Sequence, residues 1–296
     1  MTFLFAPPAQ PVIPVQDERY DFFPIHRVYG AARNYAATYE ERDAKKGFRP
    51  PLFMKSPDVV VPVEDGATYR WAMPSRTVKM VPEFELVACL NKGGRNLTAE
   101  EAQDCIWGWC VGYDFTRRLA PEDRADGSPW DQMKTLDGGA PVSAIRPATR
   151  CPLPDPVDIF LYQNNQKMQA AKTDLMIASP AELISQISQY WELKAGDIIF
   201  TGAPVKVPEA HVGDVFEGGV SGVGKLKVEI VAPLWPSRCL SKKTPAVLSH
   251  GAVGFLLRST SKRVMTSVLW GPSGDKKLKI EWDSRGGSSV LSRRSK

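Results

Sequence analysis

Short apolar runs dominate this chain, some alternating with polar residues and some unbroken, and long stripes with a helical repeat are few. Alternation of period two predicts strands, because successive side chains leave a strand on opposite faces. Residues 25–29 (IHRVY) read this way, and the β-branched run 59–61 (VVV), the segment 78–91 (VKMVPEFELVACLN) with its E-x-E, and the aromatic run 106–114 (IWGWCVGYD) also read as strands. Residues 158–168 (DIFLYQNNQKM) read as a hairpin turning at Asn164-Asn165. Further strands are expected at 198–200, 212–215 and 218–231, separated by glycine turns.

Helical signals are fewer. Residues 36–46 (AATYEERDAKK) are good helix formers closed by Gly47. Thr98 and Glu101 form a capping-box pattern for a helix running toward Ile106. Ser179 and Pro180 open a third helix, with Leu183, Ile184, Ile187 and Tyr190 on its apolar side. Many short strands, two or three helices and no βαβ alternation predict a β-rich α+β fold. Five prolines mark residues 1–24 as an extended arm with room for one short strand. Residues 120–132 are polar and turn-rich, a loop able to cover a site.

Composition is that of an ordinary globular chain, with 43% hydrophobic and 24% charged residues. The net charge of +5 hides an asymmetry. Residues 234–296 hold 13 Lys/Arg against 3 Asp/Glu, leaving 25 against 30 in the rest. The basic character therefore belongs to a C-terminal extension, rich in Ser and Gly, without steady periodicity and expected to be partly disordered. A body with an acidic balance argues against nucleic acid as a partner. No apolar stretch is long enough for a transmembrane helix, and the proline-broken N-terminus lacks a secretory pattern. Five scattered cysteines without C-x-x-C spacing point to reduced thiols in a cytoplasmic compartment.

The candidate chemistry centres on Glu83 and Glu85, which a strand would point to one face. Two adjacent carboxylates repel unless a positive charge lies between them, and a divalent cation with oxygen ligands is the natural occupant. Asp114 on a neighbouring strand supplies a third oxygen donor. E-x-E is also the solvent face of an amphipathic strand, and its spacing alone does not choose.

Several stretches together resemble the fumarylacetoacetate hydrolase family. Arg33-Asn34-Tyr35-Ala36 is similar to an R-N-Y-A turn, and Leu52-Phe53-Met54-Lys55-Ser56-Pro57 to an L-F-x-K-x-P segment. Glu83-Phe84-Glu85-Leu86 resembles the family's metal strand, and Gly112-Tyr113-Asp114 the strand carrying the third ligand. Lys134 stands ahead of Ala140-Pro141-Val142-Ser143, and residues 196–204 (GDIIFTGAP) look like the signature G-D-x-I-x-T-G-T-P. Details such as Pro129-Trp130-Asp131 lean toward the acylpyruvase and fumarylpyruvate hydrolase branch.

The resemblance implies a mixed β-roll over residues 25–233, a homodimer, and a Mg²⁺ site that also takes Mn²⁺ or Ca²⁺. It implies Glu83, Glu85 and Asp114 as metal ligands, and Lys134 and Glu41 as catalytic groups beside Thr38. Arg118, Lys55, Thr201 and Gly202 would contact the substrate, a small 2-oxo or 2,4-dioxo acid. Water would attack a carbonyl and pyruvate would leave as an enolate, with the metal as Lewis acid. Three positions depart from the pattern. Thr38 stands where the family carries a water-activating histidine paired with the glutamate at 41. Pro121 and Ala203 replace a Gln and a Thr. Threonine has no pKa near neutrality, so three readings follow: a hydrolase relying on Glu41, a decarboxylase or tautomerase of a 2-oxo acid such as oxaloacetate, and a non-catalytic metal-binding member.

Overall fold

The fold, in a computed structural model, is described for residues 3–124, 127, 129–151 and 156–233, with three strand segments beyond. The chain divides into two compact units, Met1–Pro236 and Ser237–Lys296. The first unit opens with β1 (Val12–Pro14), β2 (Phe22–Pro24), β3 (Val28–Ala31), α1 (Tyr39–Ala44), β4 (Leu52–Lys55), β5 (Val60–Pro62) and β6 (Thr68–Ala72). Two long strands follow, β7 (Lys79–Leu90) and β8 (Ile106–Arg118), with helix α2 (Ala99–Gln103) between them. After β8 come α3 (Trp130–Lys134), β9 (Ala140–Val142), β10 (Arg146–Pro147), β11 (Asp158–Gln163) and β12 (Gln166–Lys172). The unit closes with α4 (Pro180–Tyr190), β13 (Ile198–Phe200), β14 (Val215–Val220) and β15 (Gly224–Val231).

These strands form an eight-stranded mixed sheet in the order β4-β3-β13-β7-β8-β9-β5, with β10 also on β8, and a five-stranded sheet in the order β12-β11-β14-β15-β6. The architecture is the expected one: mostly strand, with a few short helices. The two-residue period of a strand sorts the side chains of β7 and β8 between two faces. Phe84, Leu86, Ala88, Trp109, Val111, Tyr113 and Phe115 fill a core they share with Ile159, Leu161, Phe216 and Val228 of the five-stranded sheet. Each of the Leu, Ile, Val and Phe side chains among them contributes about 1.5–3 kcal/mol by leaving water. Val87, Cys89, Cys110, Val142 and Phe200 fill a second core with Ile13, Phe23 and Ile25. Glu83, Glu85 and Asp114 occupy the same strand faces as this second core.

Several element boundaries move from the expectations. The proline-rich arm contains an antiparallel hairpin, β1 on β2, whose Ile13 and Phe23 are buried. The first helix starts at Tyr39 rather than 36, because Ala36 donates its N–H to Leu175 O and Tyr35 bridges Met176, holding that segment extended. The capping box at Thr98 and Glu101 forms in full, but its helix ends at Gln103 as β8 begins. Of the strand expected at 212–215 only Val215 is extended, as the start of β14, and the run expected at 218–231 splits into β14 and β15 around a turn. Asn164 and Asn165 take φ of 51° and 67°, the left-handed pair of a type I′ hairpin turn. In the second unit the structure places three antiparallel strands, β16 (Thr266–Trp270), β17 (Lys277–Trp282) and β18 (Ser288–Leu291), where no regular element was expected. The rest of the basic extension lies outside the described residues. No helix among the described residues is long and apolar enough to cross a membrane, and Cys89, Cys105, Cys110 and Cys151 are free thiols.

Candidate metal centre

β7 and β8 run antiparallel with Glu83 directly opposite Asp114 and Glu85 opposite Gly112. Opposed residues in such a pair bring their Cβ atoms within about 4.5–5.5 Å. Glu85 projects beside Glu83 because it is two residues along. One oxygen from each of Glu83, Glu85 and Asp114 lies within 4.8 Å of the others. Gly112 leaves the fourth corner bare, where a Cβ would stand 2.9 Å from the Phe200 ring. Glu85 and Asp114 are buried, and Glu83 is half-buried, so the cluster opens to solvent on the Glu83 side.

Each carboxylate is held by donors from elsewhere in the fold. Glu85 Oε2 accepts the Gly202 N–H at 2.6 Å. The residue that makes this bond needs φ of +99°, left-handed backbone that glycine adopts without penalty. Glu83 Oε2 accepts from Thr116 Oγ1 at 2.5 Å and from Lys134 Nζ at 2.5 Å. Asp114 Oδ1 accepts from Lys55 Nζ at 2.7 Å, and its Oδ2 contacts Lys134 Nζ. Lys55 Nζ also reaches the carbonyl oxygen of Lys134, tying β4 to the end of α3. Below the Lys134 ammonium lies the Phe53 ring, 4.4 Å from Nζ to its centroid, and Trp130 stacks on Phe53 at 5.6 Å.

Proton affinities follow from this packing. Burial, then the charges of Asp114 and Glu83, push the Glu85 carboxyl well above the usual carboxylate range. Burial pulls Asp114 upward as well, but the Lys134 and Lys55 ammonium groups outweigh it and hold its carboxyl below the ordinary value. Burial works against the Lys134 ammonium too, yet Asp114, Glu83 and Glu85 together raise its pKa above normal. For Lys55 burial wins: with the neighbouring Lys134 charge it outweighs the Asp114 carboxylate, and the ammonium's pKa is lowered.

Of the site residues read from the sequence, Glu83, Glu85, Asp114, Lys134, Lys55 and Gly202 come together here. Lys55 is spent on Asp114 with its ammonium fully buried. Thr201 is buried, and its hydroxyl donates to Leu86 O at 2.8 Å. Arg118 is exposed, four residues beyond Asp114 on the same face of β8. Thr38 and Glu41 stand apart: Thr38 Oγ1 caps α1 by accepting from Glu41 N at 3.2 Å. Glu41 accepts from Ala37 N at 2.7 Å and from Lys45 Nζ at 2.6 Å. No hydrogen bond or ion pair among the described residues joins either of them to the carboxylates. Sequence reading missed Thr116, Phe53 and Trp130 as parts of the site. Parity alone pointed to Thr116, two residues from Asp114, whereas the aromatic stack needed the fold.

The chain is 35% identical over 179 residues to a fumarylpyruvate hydrolase from a Ralstonia species, covering 60% of this chain and 91% of that protein. It is 28% identical to a mitochondrial oxaloacetate tautomerase of Arabidopsis thaliana, over 69% of this chain and 90% of the relative. A crystal structure of fumarylpyruvate hydrolase from Pseudomonas aeruginosa with Mn²⁺ and pyruvate is 36% identical, with a TM-score of 0.71, covering 78% of this chain and 100% of that one. With the description fumarylacetoacetate (FAA) hydrolase C-terminal matching residues 27–231, the chain belongs to the fumarylacetoacetate hydrolase family.

Proposed function

We propose that this protein is a divalent-cation-dependent hydrolase of acylpyruvate-type 2,4-dioxo acids, releasing pyruvate and a carboxylic acid. The observation that carries the reading is the convergence of Glu83, Glu85 and Asp114, whose ligand oxygens lie within 4.8 Å of one another. The donor set fits Mg²⁺ or Mn²⁺, both hard ions that take oxygen. Charge fits as well: three carboxylates against the Lys55 and Lys134 ammonium groups leave −1, which a divalent ion converts to +1. Burial and the Asp114 and Glu83 charges push the Glu85 carboxyl upward, a repulsion that a cation among the three carboxylates would relieve.

When bound, the ion supplies Lewis-acid stabilisation of negative charge developing on a 2-oxo group. The chain's own residues do the rest. Lys134, charged throughout the working pH range, places a second cation beside the developing oxyanion. Arg118, about 13 Å from Asp114 along β8, takes the distal carboxylate of an extended substrate with its guanidinium. Glu41 removes a proton from water as the water oxygen bonds to the distal carbonyl carbon. The C–C bond then breaks with its electron pair passing to the pyruvate carbon, which is reprotonated.

A second reading has a specific observation behind it. Lys45 and the Ala37 amide hold the Glu41 carboxyl below its usual range, and Thr38 is committed to the helix cap. Tautomerisation or decarboxylation of a 2-oxo acid such as oxaloacetate needs no attacking water and so tolerates this arrangement. The test is turnover of fumarylpyruvate and of oxaloacetate with Mg²⁺ or Mn²⁺, followed by loss of enol absorbance. Hydrolysis that falls at least about 10²-fold in Lys134→Met is the expected result. Turnover of oxaloacetate alone would favour the second reading, and binding of Mn²⁺ without turnover of either acid would leave a non-catalytic member.

A further inference from the structure

Gln169 lies on β12, on the five-stranded sheet, and belongs to no motif of the site. Its side chain is nonetheless buried, at 5% exposure. Nε2 donates to Pro204 O at 2.7 Å and to Val205 O at 2.9 Å, while Oε1 is buried with no donor. The amide orientation is fixed by its neighbours, because two carbonyl oxygens can only be met by the NH₂ end. A buried acceptor without a partner is costly, so an apolar side chain of the same size would be the cheaper filling unless the two N–H bonds are needed.

What those bonds hold is the segment after β13. Its upstream end is pinned to the centre: Thr201 N and Oγ1 both donate to Leu86 O, Asn34 Nδ2 donates to Thr201 O, and Gly202 N donates to Glu85 Oε2. Downstream, the chain bends through left-handed backbone at Gly202 and again at Lys206, with φ of 99° and 66°. Among the described residues, the hydrogen bonds that reach residues 203–206 are the two from Gln169. Ala203 has no hydroxyl with which to brace the bend itself.

We propose that Gln169 is a positioning residue for the carboxylate centre: by fixing the Pro204 and Val205 carbonyls it keeps the Gly202 N–H on Glu85 and sets the affinity for the divalent cation. The inference rests on the reading of Glu83, Glu85 and Asp114 as cation ligands. Outer hydrogen-bond partners of ligating groups typically carry about 10–100-fold in metal affinity, and a partner acting through one intervening turn belongs at the lower end.

The test is a Mn²⁺ titration of the full chain, read by the loss of free Mn²⁺ signal in electron paramagnetic resonance. Wild type is compared with Glu85→Gln, Gln169→Met, Gln169→Glu and Gln163→Met. Gln163 is the control: on β11 its amide also donates twice, to Glu209 O at 3.1 Å and Asp214 Oδ2 at 2.8 Å, away from the turn. The expected result is Mn²⁺ affinity about tenfold weaker in Gln169→Met and unchanged in Gln163→Met, with both folded by circular dichroism. Gln169→Glu keeps the shape but cannot donate when ionised, and it carries the same prediction should Gln169→Met not fold. Wild-type affinity in both Gln169 variants, with Glu85→Gln weakened, would overturn the clamp alone, as would an equal loss in Gln163→Met. Wild type and Glu85→Gln both failing to bind Mn²⁺ would overturn the cation centre and the clamp with it.

Discussion

The carboxylate centre and helix α1 carry the two halves of the proposed chemistry, and they are built in opposite ways. The centre is buried and over-determined: donors from β4, β8, α3 and the turn after β13 converge on three acidic side chains. Helix α1 is six residues long and buries no side chain, and Glu41 finds its partners in the residues flanking the helix, Ala37 and Lys45. Removing any one donor from the centre leaves a charge with nowhere to go, whereas removing one from α1 returns it to water. The proposed cation site is therefore held by the fold, whereas Glu41, the proposed water-activating group, is held by local contacts.

The largest effect is expected at Asp114. It is fully buried between two ammonium groups, so Asp114→Ala leaves Lys55 without its carboxylate and Lys134 with only part of its own. Breaking a buried pair costs about 3–5 kcal/mol, to be measured by urea unfolding at constant m-value. A loss below about 1 kcal/mol would mean that the centre is wetter and looser than its packing shows. Removing the Lys45 partner of Glu41 on exposed α1, by Lys45→Met, should by contrast leave the urea midpoint nearly unchanged, because solvent screens the pair.

What was legible in the sequence follows the same divide. Glu83 and Glu85 could be placed on one face because the two-residue period of a strand is a local rule. Asp114 joined them as an oxygen donor expected on a neighbouring strand, which the β7–β8 register then set opposite Glu83. Lys134 and Gly202 were legible only through ordered motifs, since nothing local says that the end of α3 and the turn after β13 meet at one carboxylate cluster. Thr116 was missed although parity put it beside Asp114. Gln169 was beyond local reading: its partners are 35 and 36 residues away, and its unpaired oxygen exists only in the folded chain. The hairpin of β1 and β2 was hidden by prolines, which at strand ends and edges are compatible with pairing. In the second unit, the alternation Lys277-Leu278-Lys279-Ile280-Glu281-Trp282 was present in the sequence and outweighed by the Ser and Gly around it.

The next effect tests whether α1 joins the centre when substrate is bound. Thr38→His places a side chain titrating near pH 6.5 three residues before Glu41, able to serve as a base. General-base catalysis is worth about 10²–10⁴-fold, and a gain of at least about 10² in fumarylpyruvate hydrolysis at pH 7.5 is expected. Oxaloacetate enol–keto conversion, which needs no water, should change by less than about twofold. A variant that binds Mn²⁺ as tightly as wild type yet gains no hydrolysis would place α1 outside the catalytic assembly.

The smallest effect is a titration that reads the same question without turnover. The Ala37 amide donates to Glu41 Oε2, so its proton chemical shift follows the charge on that carboxylate. Lys45 first, and then this amide, hold Glu41 below its usual value, which for an unperturbed glutamate is about 4.3. A depressed pKa means that the interaction is fully present above the unfolded value and is lost as pH falls through the folded one. The Ala37 shift should therefore change with a midpoint below about 4.3, and Lys45→Met should move that midpoint up toward it. Repeating the titration with Mn²⁺ and pyruvate separates two arrangements. An unmoved midpoint would keep α1 electrostatically independent of the centre and favour chemistry without attacking water. A further drop would mean that ligand binding brings Glu41 toward positive charge at the centre, where a cation, Lys134 and the carboxylate could act on one water.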